Sequence, residues 1–283
     1  MTPALLDDLV RDAASEVLAV RGLDPAALPI DAGIERPRNP AHGEFATSVA
    51  LRTAGPAGVL ARDLAGWLAD ALVRRPEVAD AEVAGPGFLN LRMTADGRGA
   101  LVAQMLAAGE DYGLERAAAV EDAADLLMRN APAGLVGAVG VDAARYGLVR
   151  GRAVDDRRTV DNPFFLVRYA HARAAALLRN AVDLGVDVGT DLRPLTHPRE
   201  GELICAIGHF PAVVASGEPH RVARHLEALA CAFFDVHDTC PALPMGDADV
   251  TDLHRARLAL LIAARRVLAN GLGLLGVSAP ERI

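Results

Sequence analysis

Apolar residues recur at helical spacing from the start of the chain. Leu5, Leu6, Val10, Ala13, Val17 and Leu18 share one face of residues 3–21, and Gly22 ends the run. The next stretch, ALPIDAGIERP, alternates and stops at proline, which predicts a strand. FATSVALRTA and VLARDLAGWLADALVRRP read as two further helices, the second closed by Pro76. AEVAGPGFLNLRM splits at Gly-Pro-Gly into two short extended pieces, and a helix from about Gly97 to Ala108 follows. Helices mixed with short strands predict an α+β domain over residues 1–112. The stretch from Glu121 to Arg152 is rich in Ala, Gly and Val and has no clear period. From Asn162 the pattern is helical almost throughout. Pro163 suits a first helical position behind a capping Asn162, and further helices are expected near 200–216, 219–236 and 252–271. The second half therefore predicts an all-α helical bundle.

Composition narrows the class of protein. The chain has 283 residues, 52% of them hydrophobic, and its apolar runs are interrupted by Arg, Asp or Gly well short of the roughly 20 residues a membrane-spanning helix needs. The first 18 residues form an acidic amphipathic pattern rather than a basic start followed by an apolar core, so a cytoplasmic location and no membrane partner are expected. Three cysteines at irregular spacing suit reduced thiols better than a disulfide framework. The net charge of −8 argues against a protein that coats DNA or RNA indiscriminately. That charge is uneven: 11 Arg stand against 17 acids in residues 1–116, and 18 Arg against 20 acids in residues 117–283. The chain has no lysine, so every permanent side-chain cation is a guanidinium.

Motifs for catalysis or cofactors are missing. GLGLLG (271–276) follows a helix near the chain end and cannot open a βαβ unit, so helix capping and tight packing explain Gly271 and Gly273 better than a dinucleotide. A phosphate-binding loop needs the lysine this chain lacks. Cys231, His237 and Cys240 match no common zinc spacing. No catalytic residue, metal or cofactor is expected. DNPFFLVRYAHARAAALLRNA (161–181) stands apart. On a helix, Leu166, Tyr169 and Arg173 share a face, beside a core stripe of Phe164, Val167, Ala174 and Leu178. A Tyr beside an Arg with no carboxylate at i+4 is suited to an unpaired base and its phosphate. The same spacing equally suits a half-buried ring and an Arg paired elsewhere in the bundle.

That stretch resembles the helix opening the DALR anticodon-binding domain of arginyl-tRNA synthetases. VDAARYGLVRG (141–151) is similar to the segment that leads into the domain, and RARLALLIAARRVLANGLGLLGVSAPERI to the family's C-terminus. IERPRNPAHGEFATSVAL and VAGPGFLNLRM resemble the family's additional N-terminal domain, which contacts the tRNA D-loop. The departure lies between them. The family's Rossmann-type catalytic domain carries H-I-G-H and K-M-S-K elements. Here no H-x-G-H occurs, no lysine exists for the second element, and the span from Leu114 to Val141 is too short for a nucleotide-binding sheet. The expected organisation is a D-loop-binding-like domain (1–112), a linker in place of the catalytic domain (113–140) and a DALR domain (141–283).

The resemblance implies tRNA-contact residues. On the anticodon side Tyr169 and Arg173 match the family helix. Arg168 stands where Gln is usual, Leu166 where an aromatic is usual, His237 where Tyr is usual, and Ile283 where the family ends in Met. On the D-loop side Phe88 and Asn90 match the pair that meets a base, with Asn39 and His42 in a matching loop. The expected function is non-catalytic binding of tRNA, arginine tRNA in the first place. The alternative is a protein-interaction or regulatory partner of a synthetase or of an arginyl-tRNA-dependent enzyme, motivated by the replaced aromatics and the acidic balance.

Overall fold

The computed structural model describes residues 3–35, 37, 42–152 and 157–283. Its contacts divide the chain into two compact units, Met1–Gln104 and Met105–Ile283.

The first unit begins with α1 (Pro3–Val20), whose apolar stripe buries Leu6, Val10, Val17 and Leu18 completely or nearly so. Then come β1 (Ile34–Glu35), β2 (Phe45–Thr47), α2 (Val49–Ala57), α3 (Ala61–Leu72), β3 (Val78–Ala84), β4 (Phe88–Met93) and α4 (Ala95–Ala107). The strands form one antiparallel sheet in the order β1-β2-β4-β3. Side chains alternate across the pleat, so Leu89, Leu91 and Met93 of β4 join Phe45 of β2 in the core. They pack under α2 and α3, and α1 packs on α3. This leaves Phe88, Asn90 and Arg92 together on the opposite face of β4.

Two expectations for this unit change. The stretch from Phe45 was expected as helix, but Phe45–Thr47 is strand and the helix begins at Val49. Pairing decides it: Phe45 stands opposite Leu91 and Thr47 opposite Leu89. The Thr47 hydroxyl donates to the Ala32 carbonyl and accepts from the Val49 amide, which ties off the strand and starts the helix. ALPIDAGIERP contributes strand only at Ile34–Glu35, because Pro25–Ala27 closes into a 3-10 turn capped by Asp24. At the β3–β4 turn Gly87 has φ +142°, and a Cβ there would come within 2.9 Å of the Ala61 carbonyl oxygen, so a side chain would push α3 from the sheet.

The second unit is helical: α5 (Ala118–Arg129), α6 (Leu135–Val139), α7 (Val141–Arg150), α8 (Pro163–Asp183), α9 (Pro198–Ala215), α10 (Pro219–Thr239) and α11 (Asp252–Leu274). The stretch 113–140 thus holds α5 and α6, with α5 packed on α7 and α10. Proline occupies the first position of α8, α9 and α10, where its missing N–H costs nothing. Asn162 caps α8 as its sequence predicts, its side-chain oxygen accepting from the Phe164 amide at 3.1 Å. α8 packs on α10 and α11, and α9 on α10. Gly271 lies inside α11, where a Cβ would meet Leu226 at 2.5 Å, so close helix packing explains it. Gly273 has open space, and the turn after the helix falls at Gly276. An α+β unit is thus followed by an all-α bundle, as the hydrophobic pattern predicts.

Candidate RNA-binding surfaces

On the open face of the sheet, Phe88 is 43% exposed, so its ring is not in the core, the other position open to a strand residue. Asn90, two residues on and facing the same way, is 8% exposed. It sits in the centre of the sheet, with Ala46 on one side and Glu82 on the other. Its amide makes no side-chain hydrogen bond among the described residues. A deeply set amide beside an exposed ring offers a base both an edge and a face. His42 is exposed next to this sheet in sequence, in the segment leading to β2. Asn39 lies outside the described residues.

The helical unit presents a different surface. Tyr169 of α8 stacks on Phe165 one turn earlier, with centroids 5.4 Å apart, and on Phe234 of α10 at 5.3 Å. Both ring pairs are close to parallel, at 13° and 25°. His237, one turn after Phe233 on α10, stacks on that ring at 6.1 Å. Arg173 closes the group: its Nε donates to His237 Nε2 at 3.1 Å, which makes Nε2 the acceptor and puts the imidazole proton on Nδ1. Burial holds His237 below the usual histidine pKa, and the Arg173 charge adds to the effect. The Tyr169–Arg173 face therefore combines the two readings open from sequence. The ring is half buried and the guanidinium is paired, yet the Tyr169 hydroxyl and the two Nη groups of Arg173 have no partner among the described residues.

Arg168 points elsewhere. Its guanidinium lies 4.9 Å from the Phe164 ring centroid, donates to Ser278 Oγ at 3.2 Å and stands 3.6 Å from the Asp142 carboxylate. It lines a cavity of about 420 Å³ with Asp142, Phe165, Arg158, Arg282 and Ile283. Ile283 is half exposed at that rim. The structure thus gathers Tyr169, Arg173 and His237 in one cluster and Arg168 with Ile283 in another.

Sequence reading missed Phe165 and Phe234, which flank Tyr169. Phe165 carries a signal, since it lies at i−4 from Tyr169. Phe234 carries none, because its contact joins two helices. Among the described residues no group of three or more His, Cys, Asp and Glu side chains is placed to hold a metal ion, and Cys231 is exposed while Cys205 and Cys240 are buried. No helix among them is long and apolar enough to cross a membrane.

An exposed ring beside an amide on a sheet, and a Tyr-Arg cluster on a helical bundle, are side-chain sets whose chemistry suits an unpaired base and its phosphate. Residues 4–93 match the arginyl tRNA synthetase N terminal domain, and residues 167–283 match the DALR anticodon binding domain. The chain carries these two domains of the arginyl-tRNA synthetase family. Over 165 residues it is 51% identical to the arginine–tRNA ligase of Frankia alni, covering 53% of this chain and 30% of that protein. The arginyl-tRNA synthetase structure of Thermus thermophilus overlaps 61% of this chain and 32% of its own, at 25% identity and a TM-score of 0.43. The chain therefore spans about a third of the length of the relatives it matches.

Proposed function

We propose that this chain is a non-catalytic tRNA-binding protein that engages arginine tRNA through both matched domains. The observation that carries the reading is what stands between them. Residues 94–166 hold helices α4 to α7, the first turn of α8 and no strand among the described residues. A nucleotide-binding fold needs a parallel sheet, and the sheet described here is antiparallel. On the D-loop side Phe88 supplies a stacking face, Asn90 an amide edge, and His42 and Asn39 further polar groups. On the anticodon side Tyr169 offers its hydroxyl edge, and Arg173 its Nη groups to a phosphate. His237 holds Arg173 in place, and Arg168 with Ile283 offers a second group on the same unit. Arg173→Ala should weaken tRNA binding by about 1–3 kcal/mol.

The test is filter binding to arginine tRNA across a salt series, with a noncognate tRNA and an anticodon-altered arginine tRNA as competitors. A cognate preference that survives rising salt supports the reading. Equal loss for all three means phosphate contact alone and removes it. Arginine-dependent ATP–pyrophosphate exchange by the purified chain would overturn the non-catalytic part. One observation favours a second reading, a protein partner of a synthetase or of an arginyl-tRNA-dependent enzyme. The rings and cations of the anticodon side already bond to one another. Co-purification with such a protein in the absence of tRNA would support it.

A further inference from the structure

Within the helical unit a half-open cavity of about 230 Å³ lies between α8, α11 and the 3-10 turn at Gly109–Asp111. Its polar lining is Glu110, His171, Arg265, Arg266 and Asn270, and its apolar wall is Ile262 and Ala269. None of these side chains belongs to either proposed tRNA surface.

Their bonding separates the groups already satisfied from those that are not. Arg265 donates through Nη2 to the Glu281 carboxylate at 2.5 Å, which Arg179 also approaches at 3.7 Å, so its charge is matched while its buried Nε has no partner among the described residues. His171 is 3% exposed and its Nδ1 lies 2.8 Å from the Pro280 carbonyl oxygen. A carbonyl only accepts, so Nδ1 carries the proton and Nε2 is a lone-pair acceptor with no partner among the described residues. Asn270 spends its Nδ2 on the carbonyls of Glu110 and Tyr112, at 2.8 and 3.0 Å, which leaves Oδ1 as an acceptor. Among the described residues Arg266 reaches only the carbonyls of Met105 and Leu106, at 3.5 and 3.4 Å, and no carboxylate. Glu110 has no ion-pair partner among the described residues either. One cavity is thus lined by an unmatched guanidinium and an unmatched carboxylate that do not pair with each other, together with two spare acceptors.

The geometry points to a binding site for a free α-amino acid. Its carboxylate would take the Arg266 guanidinium, and its ammonium would take Glu110 with help from His171 Nε2 or Asn270 Oδ1. A simple anion would leave Glu110 opposed, and a simple cation would leave Arg266 opposed. A zwitterion satisfies both. The volume lies below the roughly 300 Å³ at which sites for drug-sized ligands begin, which suits so small a molecule. Ile262 and Ala269 would meet its side chain.

The experiment is a thermal-shift screen of the full chain, without RNA, against each of the twenty L-amino acids at millimolar concentration, with propionate and n-propylamine as half-ligands. At least one amino acid should raise Tm by several degrees, and neither half-ligand should reproduce the shift. Glu110→Gln, at an exposed position that keeps the fold, should weaken the apparent affinity at least about tenfold, as should Arg266→Gln. Arg266→Lys should recover part of the loss. No shift with any amino acid overturns the proposal. So does an equal shift with propionate, which would make this an anion site. A shift that persists in both Glu110→Gln and Arg266→Gln also overturns it, by placing the ligand elsewhere. Because no RNA is present, failure here is distinct from failure of the tRNA-binding reading.

Discussion

The open face of the sheet and the aromatic cluster of the bundle present similar side chains in opposite states. Phe88 stands exposed and Asn90 keeps an unspent amide. Tyr169 is stacked between two rings, and Arg173 is bonded to His237. The first surface has little to lose by substitution except its ligand. In the second, the groups proposed to meet RNA are also part of the packing, so on that reading function and stability are coupled there. The lesson is that a matching residue type does not define an equivalent site, because what a side chain offers depends on what its neighbours have already taken.

The largest effect should separate the units themselves. Each uses a carboxylate as an internal clamp. Glu44 accepts from Arg98 Nε at 2.7 Å and from the Met93 amide at 3.0 Å, with its side chain 11% exposed. Glu200 accepts from Arg257 at 2.7 Å and from the His197 amide at 2.9 Å, with its side chain 1% exposed. Removing one member of a buried pair strands the other charge, at a cost of about 3–5 kcal/mol. Glu200→Ala should fall in that range, and Glu44→Ala below it because water still reaches the site. Urea unfolding followed by circular dichroism measures both. Equal costs would mean that the two clamps are equally dry.

A second pair of substitutions addresses the RNA surfaces directly. Phe88→Ala should cost about 1–3 kcal/mol of tRNA affinity, the range for losing one base-stacking ring, and leave stability within about 0.5 kcal/mol. Tyr169→Ala removes two stacked contacts worth about 0.5–1.5 kcal/mol each beyond burial, so it should lower the stability of the bundle as well as binding. Paired melting and binding curves decide it. A Tyr169→Ala protein as stable as the parent would end the distinction between the two surfaces.

How much of this was legible depended on the range of the interaction involved. The start of α8 was readable because Asn162 and Pro163 act within one turn of chain. The sidedness of β4 could be narrowed but not fixed, since alternation gives two faces and only the covering helices say which is wet. The strand at Phe45–Thr47 was hidden because three residues carry no period, and their partners, Leu89 to Leu91, lie more than forty positions away. Residues 121–152 gave little because Ala and Gly fill both the packed and the exposed positions of α5 to α7. Phe234 and His237 became partners of α8 only through the packing of α10 against it. Family resemblance located Tyr169 and Arg173 but said nothing about their being occupied.

The smallest effect is a difference in pH response between the units. In the bundle, His171, His237 and His254 all have their pKa lowered, chiefly by burial, below the ordinary 6.5. As pH falls through 6.5 the unfolded chain takes up these protons before the folded one does. The folded state therefore loses stability, and the loss is complete once pH passes the folded values. The contribution is fully present above 6.5. In the first unit the exception runs the other way. Burial, the largest influence on Asp7, raises its pKa above 3.8, so the folded form takes up a proton first as pH falls and gains slightly. Melting curves between pH 7.5 and 5, followed by probes in each unit, should show the bundle declining by a few degrees while the first unit holds. His237→Phe keeps a ring against Phe233, removes the titrating group and frees Arg173 Nε. It should reduce the acid-sensitive part of the decline, and if the slope is unchanged the response belongs to His171 or His254 rather than to the Tyr169–Arg173 cluster.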